Sequence, residues 1–181
     1  MKSRDLNERK IEAHTLAKMV FSRIKVEGGF EFFHFDDPDY DNFFFDCTLS
    51  GYQEYNFVFT SNYKSGRIFC ALSNAHKTEI AKLLSDIEQR GRENKQLTHL
   101  DTYSTSRQYF CKKGYSGVVL LEPEDMQILG TLSHKESIDT YQFSIYFVLL
   151  LSDQDMKMKT LIGDQFLVKI FENDARDFFS I

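Results

Sequence analysis

"FFFDCTLSGYQEYNFVFT", residues 43–60, holds two runs of alternating character joined by a turn. Phe43, Phe45, Cys47 and Leu49 alternate with Phe44, Asp46, Thr48 and Ser50. Tyr55, Phe57 and Phe59 alternate with Glu54, Asn56 and Thr60. A period of two is what a pleated strand with one face towards a core requires. Gly51 marks a turn so short that the two strands must be antiparallel neighbours. Residues 30–35 read as a strand before this pair. Residues 61–66 are rich in turn formers and lead into a fourth strand over 67–72. The block 30–72 is therefore expected to be a four-stranded antiparallel meander.

Helical periodicity flanks this block. Ala13, Leu16, Ala17, Val20 and Ile24 recur at helical spacing within residues 4–25, which Gly28-Gly29 would stop. Over 75–90, Ile80, Leu83, Leu84 and Ile87 fall at i, i+3, i+4 and i+7, one apolar stripe to lay on a sheet. Ser73 or Asn74 suits the start of that helix and Gly91 the residue after its end. Asp86 and Arg90 are spaced as an i,i+4 ion pair. Residues 91–101 read as a loop.

A second strand block is expected over 103–171. Residues 103–112 and 117–121 flank Lys113-Gly114-Tyr115-Ser116, a hairpin signal. Pro123, amid Glu122, Glu124 and Asp125, opens a short helix that Gly130 closes. Residues 141–151 alternate at first and then become apolar throughout, the mark of a central strand buried on both faces. The period of Met156-Lys157-Met158-Lys159 and the pair Gly163-Asp164 favour a hairpin over 156–171 rather than a helix, with a short helix over 172–179. The order predicts one α+β domain over residues 1–181: a curved, mainly antiparallel, meander-rich sheet with helices packed on one side.

Composition narrows the function. The 181 residues include 18 Phe and 9 Tyr but no Trp and only 2 Pro, a balance that leans to strands. A chain of this length buries ~70% of the surface it exposes when unfolded. A formal net charge of -5 disfavours nucleic acid and anionic membrane surfaces as partners. Cys47, Cys70 and Cys111 are too far apart for a disulfide framework or a zinc site and read as buried, reduced thiols. The charged start MKSRDLNERK is no signal peptide, and no apolar run reaches 18 residues. A soluble cytoplasmic protein is expected.

The sharpest chemical feature is Asp37-Pro38-Asp39-Tyr40-Asp41-Asn42. Counted as a calcium loop, Asp37, Asp39 and Asp41 occupy positions 1, 3 and 5, and Asn42 takes position 6. Position 12 is Thr48, which cannot close the cage. The stretch reads first as a hairpin turn and second as an acidic docking surface. Tyr40, Tyr52, Glu54 and Tyr63 join it from the same or adjacent turns. The histidines offer no nucleophile–base pair. His99, two residues before Asp101, is the one spacing that could orient an imidazole. No phosphate loop or dinucleotide fingerprint is present, and no cofactor is expected. These features favour a binding protein of the inhibitor, immunity or adaptor kind with a basic protein partner, its oligomeric state left open. The alternatives are a hydrolase or transferase using His99 and Asp101, or an acidic secretion-chaperone-like dimer binding an extended segment along an edge strand.

Overall fold

The computed structural model describes residues 6–35, 42–93, 97–173 and 177–181. In chain order the elements are α1 (Leu6–Phe21), β1 (Val26–His34), β2 (Phe43–Leu49), β3 (Asn56–Thr60), β4 (Arg67–Ser73), α2 (Lys77–Glu93), β5 (Thr102–Ser104) and α3 (Gln108–Cys111). They continue with β6 (Tyr115–Leu121), β7 (Lys135–Ile138), β8 (Tyr141–Ser152), α4 (Asp153–Ile162) and α5 (Asp164–Asn173). The strands form one sheet in the order β1-β2-β3-β4-β8-β6-β5, with β7 also paired to β8. Every pairing is antiparallel except β4 with β8, which is parallel. The meander β1–β4 and the central place of β8 are as expected, and the α+β class holds.

The sheet is covered on both faces. Phe45, Cys47, Leu49, Phe57, Phe59, Ile145, Phe147 and Leu149 point to one core, closed by Leu16, Ala17 and Val20 of α1 and Leu167 and Ile170 of α5. Phe44, Val58, Phe69, Tyr146, Val148 and Leu150 point to the other, closed by Ile80, Leu83, Leu84 and Ile87 of α2 and Phe110 of α3. The main helix α2 thus lies on one face, and α1 with α5 fills the opposite one. This explains three consecutive phenylalanines: Phe43, Phe44 and Phe45 are 7%, 0% and 0% exposed, because each side of the strand meets a core.

Several expectations fail. The first is the hairpin over 156–171, which is instead the helix pair α4 and α5. Ser152 caps α4 by accepting from the Asp155 amide at 3.1 Å, while the Asp155 carboxylate accepts from the Ser152 amide. Gly163, at φ 84°, separates the two helices. Met156 docks into the space that Gly117 leaves open on β6. The period-two signal came from a capped helix with only one side on the body. Of the expected helix over 172–179, residues 172 and 173 belong to α5 and 177–179 form turn and irregular backbone, while 174–176 lie outside the described residues.

The second failure is the long strand over 103–112. Only Thr102–Ser104 pairs with β6, and α3 follows, burying Phe110 beneath the sheet. The third concerns residues 122–130, which make two 3-10 turns, Pro123–Asp125 and Gln127–Leu129, rather than one helix. The short strand β7 carries no apolar alternation and left no sequence signal. Gly28 and Gly29 lie within β1, at a register shift, rather than ending α1.

Of the three thiols, Cys47 and Cys70 are buried and Cys111 is exposed at the end of α3. Burial pushes the Cys47 thiol up to about 12 and Cys70 well above its ordinary value. The native protein should therefore react with a thiol reagent at Cys111 alone, and at all three cysteines after denaturation. Native titration of more than one thiol would contradict this packing.

Gly130 has φ 62°, and a Cβ there would stand 2.6 Å from the Arg23 carbonyl oxygen, which also accepts the Thr131 amide at 3.0 Å. Gly130→Ala should cost about 2 kcal/mol or more in urea denaturation. Gly29→Ala, with open space around its Cβ and no positive φ, should change stability by less than about 0.5 kcal/mol.

Candidate functional site

Asp37, Asp39, Tyr40 and Asp41, and with them the cation-loop reading, lie outside the described residues. The stems of that loop are described, and they are firmly held. On the incoming side Phe33 stacks on Phe44 with centroids 5.5 Å apart, Phe35 meets the same ring edge-on at 5.6 Å, and His34 lies 5.5 Å from Phe43. On the outgoing side Asn42 is buried and donates its amide to the Glu88 carboxylate. The Ser61 hydroxyl donates to the Phe43 carbonyl. Glu88 is only 3% exposed and takes a second bond from Arg92 at 3.1 Å. A carboxylate this deep persists only when paired and hydrogen-bonded, so Asn42 and Arg92 together make the position tenable.

Tyr52 and Glu54 lie at the end of β2 remote from Asn42. Strand β2 runs from the loop to the turn carrying Tyr52 and Glu54, and its seven residues span ~20 Å. Glu54 is exposed there, and Tyr52 is half-buried beside Tyr55 at 6.0 Å. Both rings stand edge-on to Phe179, at 6.1 and 6.2 Å. The Tyr55 hydroxyl donates to the Asp177 carboxylate, which raises its phenol pKa. Tyr63 does sit at the acidic-loop end of β3, but inside the fold: it is 5% exposed and packs on Tyr141 and Phe143 at 6.0 and 5.7 Å. Burial raises its pKa, and it offers no binding surface. Spacing along the chain suggested one acidic, tyrosine-bearing patch; among its described members, strand direction puts Tyr52 and Glu54 at the end of β2 away from Asn42, and Tyr63 is buried.

His99 and Asp101 do not form a dyad. His99 Nδ1 lies 3.4 Å from Asp125 Oδ2, while Asp101 closes its own turn by accepting from the Thr98 amide at 2.7 Å. Leu100 between them has φ 67°. Sequence reasoning missed a tighter constellation nearby. His134 Nδ1 is 2.9 Å from the Ile145 carbonyl oxygen, its ring stands edge-on to Tyr146 at 4.8 Å, and its peptide N–H donates to Glu124 at 2.8 Å. Tyr146 in turn donates to the Leu97 carbonyl at 2.9 Å. These bonds pin the 122–138 segment to β8, a tertiary role that no local pattern announces. An open cleft of about 650 Å³ runs along the outer side of α2 between Lys82, Arg90, Arg107 and Tyr109. Its most constrained group is Arg107, which grips Asp86 with two bonds of 2.5 Å. The expected Asp86–Arg90 pair is thereby replaced, and Arg90 donates to the Ser104 carbonyl at 2.6 Å. Among the described residues no three His, Cys, Asp or Glu side chains converge as metal ligands would.

The architecture has a known counterpart. A crystal structure from Neisseria gonorrhoeae FA 1090, described as a proposed SUFU (suppressor of fused protein) homologue, matches with TM-score 0.70. The match covers 97% of this chain and 94% of that chain, at 11% identity. This likeness shows a shared fold. No protein-family model matches the sequence, and no curated protein matches it either. No helix among the described residues is long and apolar enough to cross a membrane.

Removal of the Asn42 amide leaves Glu88 buried with one partner fewer. Asn42→Ala should therefore cost about 1–3 kcal/mol in denaturant unfolding. Adding Glu88→Gln should return part of that loss, a coupling read from the double-mutant cycle.

Proposed function

We propose that the chain is a small protein-binding domain of the inhibitor, immunity or adaptor kind, acting in the cytoplasm on a partner with a basic surface. The observation that carries this reading is a run of aspartates in the sequence flanked by fixed stems. Residues 36–41 hold four aspartates, and the chain enters and leaves them through stacked phenylalanines and the buried Asn42–Glu88 bond. A concentrated negative charge on a preorganised base steers a cationic partner and loses little entropy on contact. Tyr40 within the loop supplies an aromatic anchor. Tyr52 and Glu54, at the far end of β2, form a contact separate from this one. The structural neighbour is described as a homologue of suppressor of fused, and what it lends this reading is a shared fold. Three free thiols support a reducing compartment.

The test is a tagged pull-down from lysate of the native host, with Asp37→Lys/Asp39→Lys/Asp41→Lys and Glu54→Lys run in parallel. The wild type and Glu54→Lys should retain one stoichiometric partner that the triple variant loses, and retention should weaken as salt rises. A partner held equally by the triple variant would remove the loop from the interface.

A further inference from the structure

Segment Asp177–Ile181 is seated in a groove made by other parts of the chain. Asn74, between β4 and α2, reads three successive positions of it. Its amide donates to the Phe179 carbonyl at 3.1 Å, its side-chain amide to the Ser180 hydroxyl at 3.1 Å, and its side-chain oxygen accepts the Ile181 amide at 2.9 Å. The sequence suggested a helix cap for Asn74; the fold uses it as a peptide clamp. Tyr115 donates to the Ser180 carbonyl at 3.0 Å, and Lys113 to the Ile181 backbone oxygen at 3.3 Å. At the other end the Asp177 carboxylate accepts from the Tyr55 hydroxyl and folds back to the Phe179 amide at 3.0 Å. Between these anchors the Phe179 ring enters an aromatic box, edge-on to Tyr52, Tyr55 and Phe147 at 6.1, 6.2 and 6.2 Å.

Two properties distinguish this from ordinary core. The walls come from separate parts of the chain: the turns carrying Tyr52, Tyr55 and Asn74, the start of β6 at Tyr115, and Phe147 of the central strand β8. The segment itself is shallow: Asp177 and Ser180 are exposed, and Phe178, Phe179 and Ile181 are only partly buried. A ligand held by backbone bonds and one aromatic pocket is the arrangement in which a protein reads a short peptide motif.

We propose that this groove is a peptide-binding site which the chain fills with its own residues 177–181, and that a partner protein presenting an acidic–any–aromatic–small–aliphatic segment takes it in trans. The site does not rest on the acidic-loop reading. It lies at the opposite end of β2, and its ligand carries an acid rather than a base. While the internal segment is seated, the apparent affinity for an outside peptide is reduced by the fraction of molecules whose groove is open.

The experiment uses the full chain and a fluorescein-labelled peptide Asp-Phe-Phe-Ser-Ile, followed by fluorescence anisotropy. Phe179→Ala empties the aromatic box, and Asp177→Ala loosens the segment from an exposed position should the first variant fold poorly. Either should bind the probe roughly tenfold more tightly than the wild type, because the groove is open more of the time. A control peptide with Ala at its third position should bind at least roughly tenfold less well. Adding Asn74→Ala should abolish binding. Equal affinity for the wild type and both loosened variants, or equal affinity for the Ala peptide, would overturn the proposal. So would a wild-type dimer that the probe dissociates, which would make the true occupant a second copy of this chain.

Discussion

The structure depends on a sheet that must be dry on both faces. Each central strand therefore presents apolar groups in both directions, and neither layer of helices can be lost without exposing a row of phenylalanines. Phe45 stacks on Phe59 at 4.8 Å on one face, and Phe69 stacks on Tyr146 at 5.7 Å on the other. Strand β8 joins the two halves by pairing parallel to β4 and antiparallel to β6 and β7. Truncating one buried ring in such a core typically costs 3–5 kcal/mol, so the strands tolerate little change in shape. A long, doubly buried central strand is also what fastens a meander formed by local contacts to the distant second half of the chain.

Charged groups buried in this interior serve chiefly to join or close elements among the described residues. Glu12, 3% exposed on α1, meets Lys64 at 2.9 Å and so ties that helix to the turn before β4, and the bond raises the Lys64 pKa. Glu88 ties α2 to the outgoing stem of the acidic loop. Asp155 closes the start of α4. Asp46 shows the limit of this economy: burial raises its pKa, and Lys77, 3.7 Å away, only partly opposes the shift. Glu12 and Glu88 each tie a helix to a segment beside the sheet, whereas Asp46 joins strand β2 to α2 and Asp155 closes its own helix.

Surface chemistry then divides by the ends of the sheet. One end carries the firmly held stems, Phe33 to Phe35 and Asn42 to Phe44, on either side of the aspartate run. The other offers an aromatic box and a clamp for backbone, already occupied by residues 177–181. His99 and Asp101, which sequence spacing put together, are spent on different local bonds, while His134, to which spacing assigned nothing, is the histidine most tightly built into the fold.

The sequence by itself determined the antiparallel meander, the amphipathic helix α2, the central position of β8 and the α+β class, because each follows from periodicity within one segment and from short connections between neighbours. It also marked the acidic loop, since a run of aspartates is a property of the chain rather than of its folding. Only the tertiary structure decided the rest. Helices α4 and α5 replace a hairpin because capping and the packing of Met156, Leu167 and Ile170 outweigh a short alternation. Tyr63 is core rather than surface, and Tyr52 and Glu54 stand at the end of β2 away from Asn42, because strand direction, not distance along the chain, sets which turns meet. Asn74 became a peptide clamp for the same reason: residues 74 and 181 are brought together by a sheet whose order no local pattern encodes.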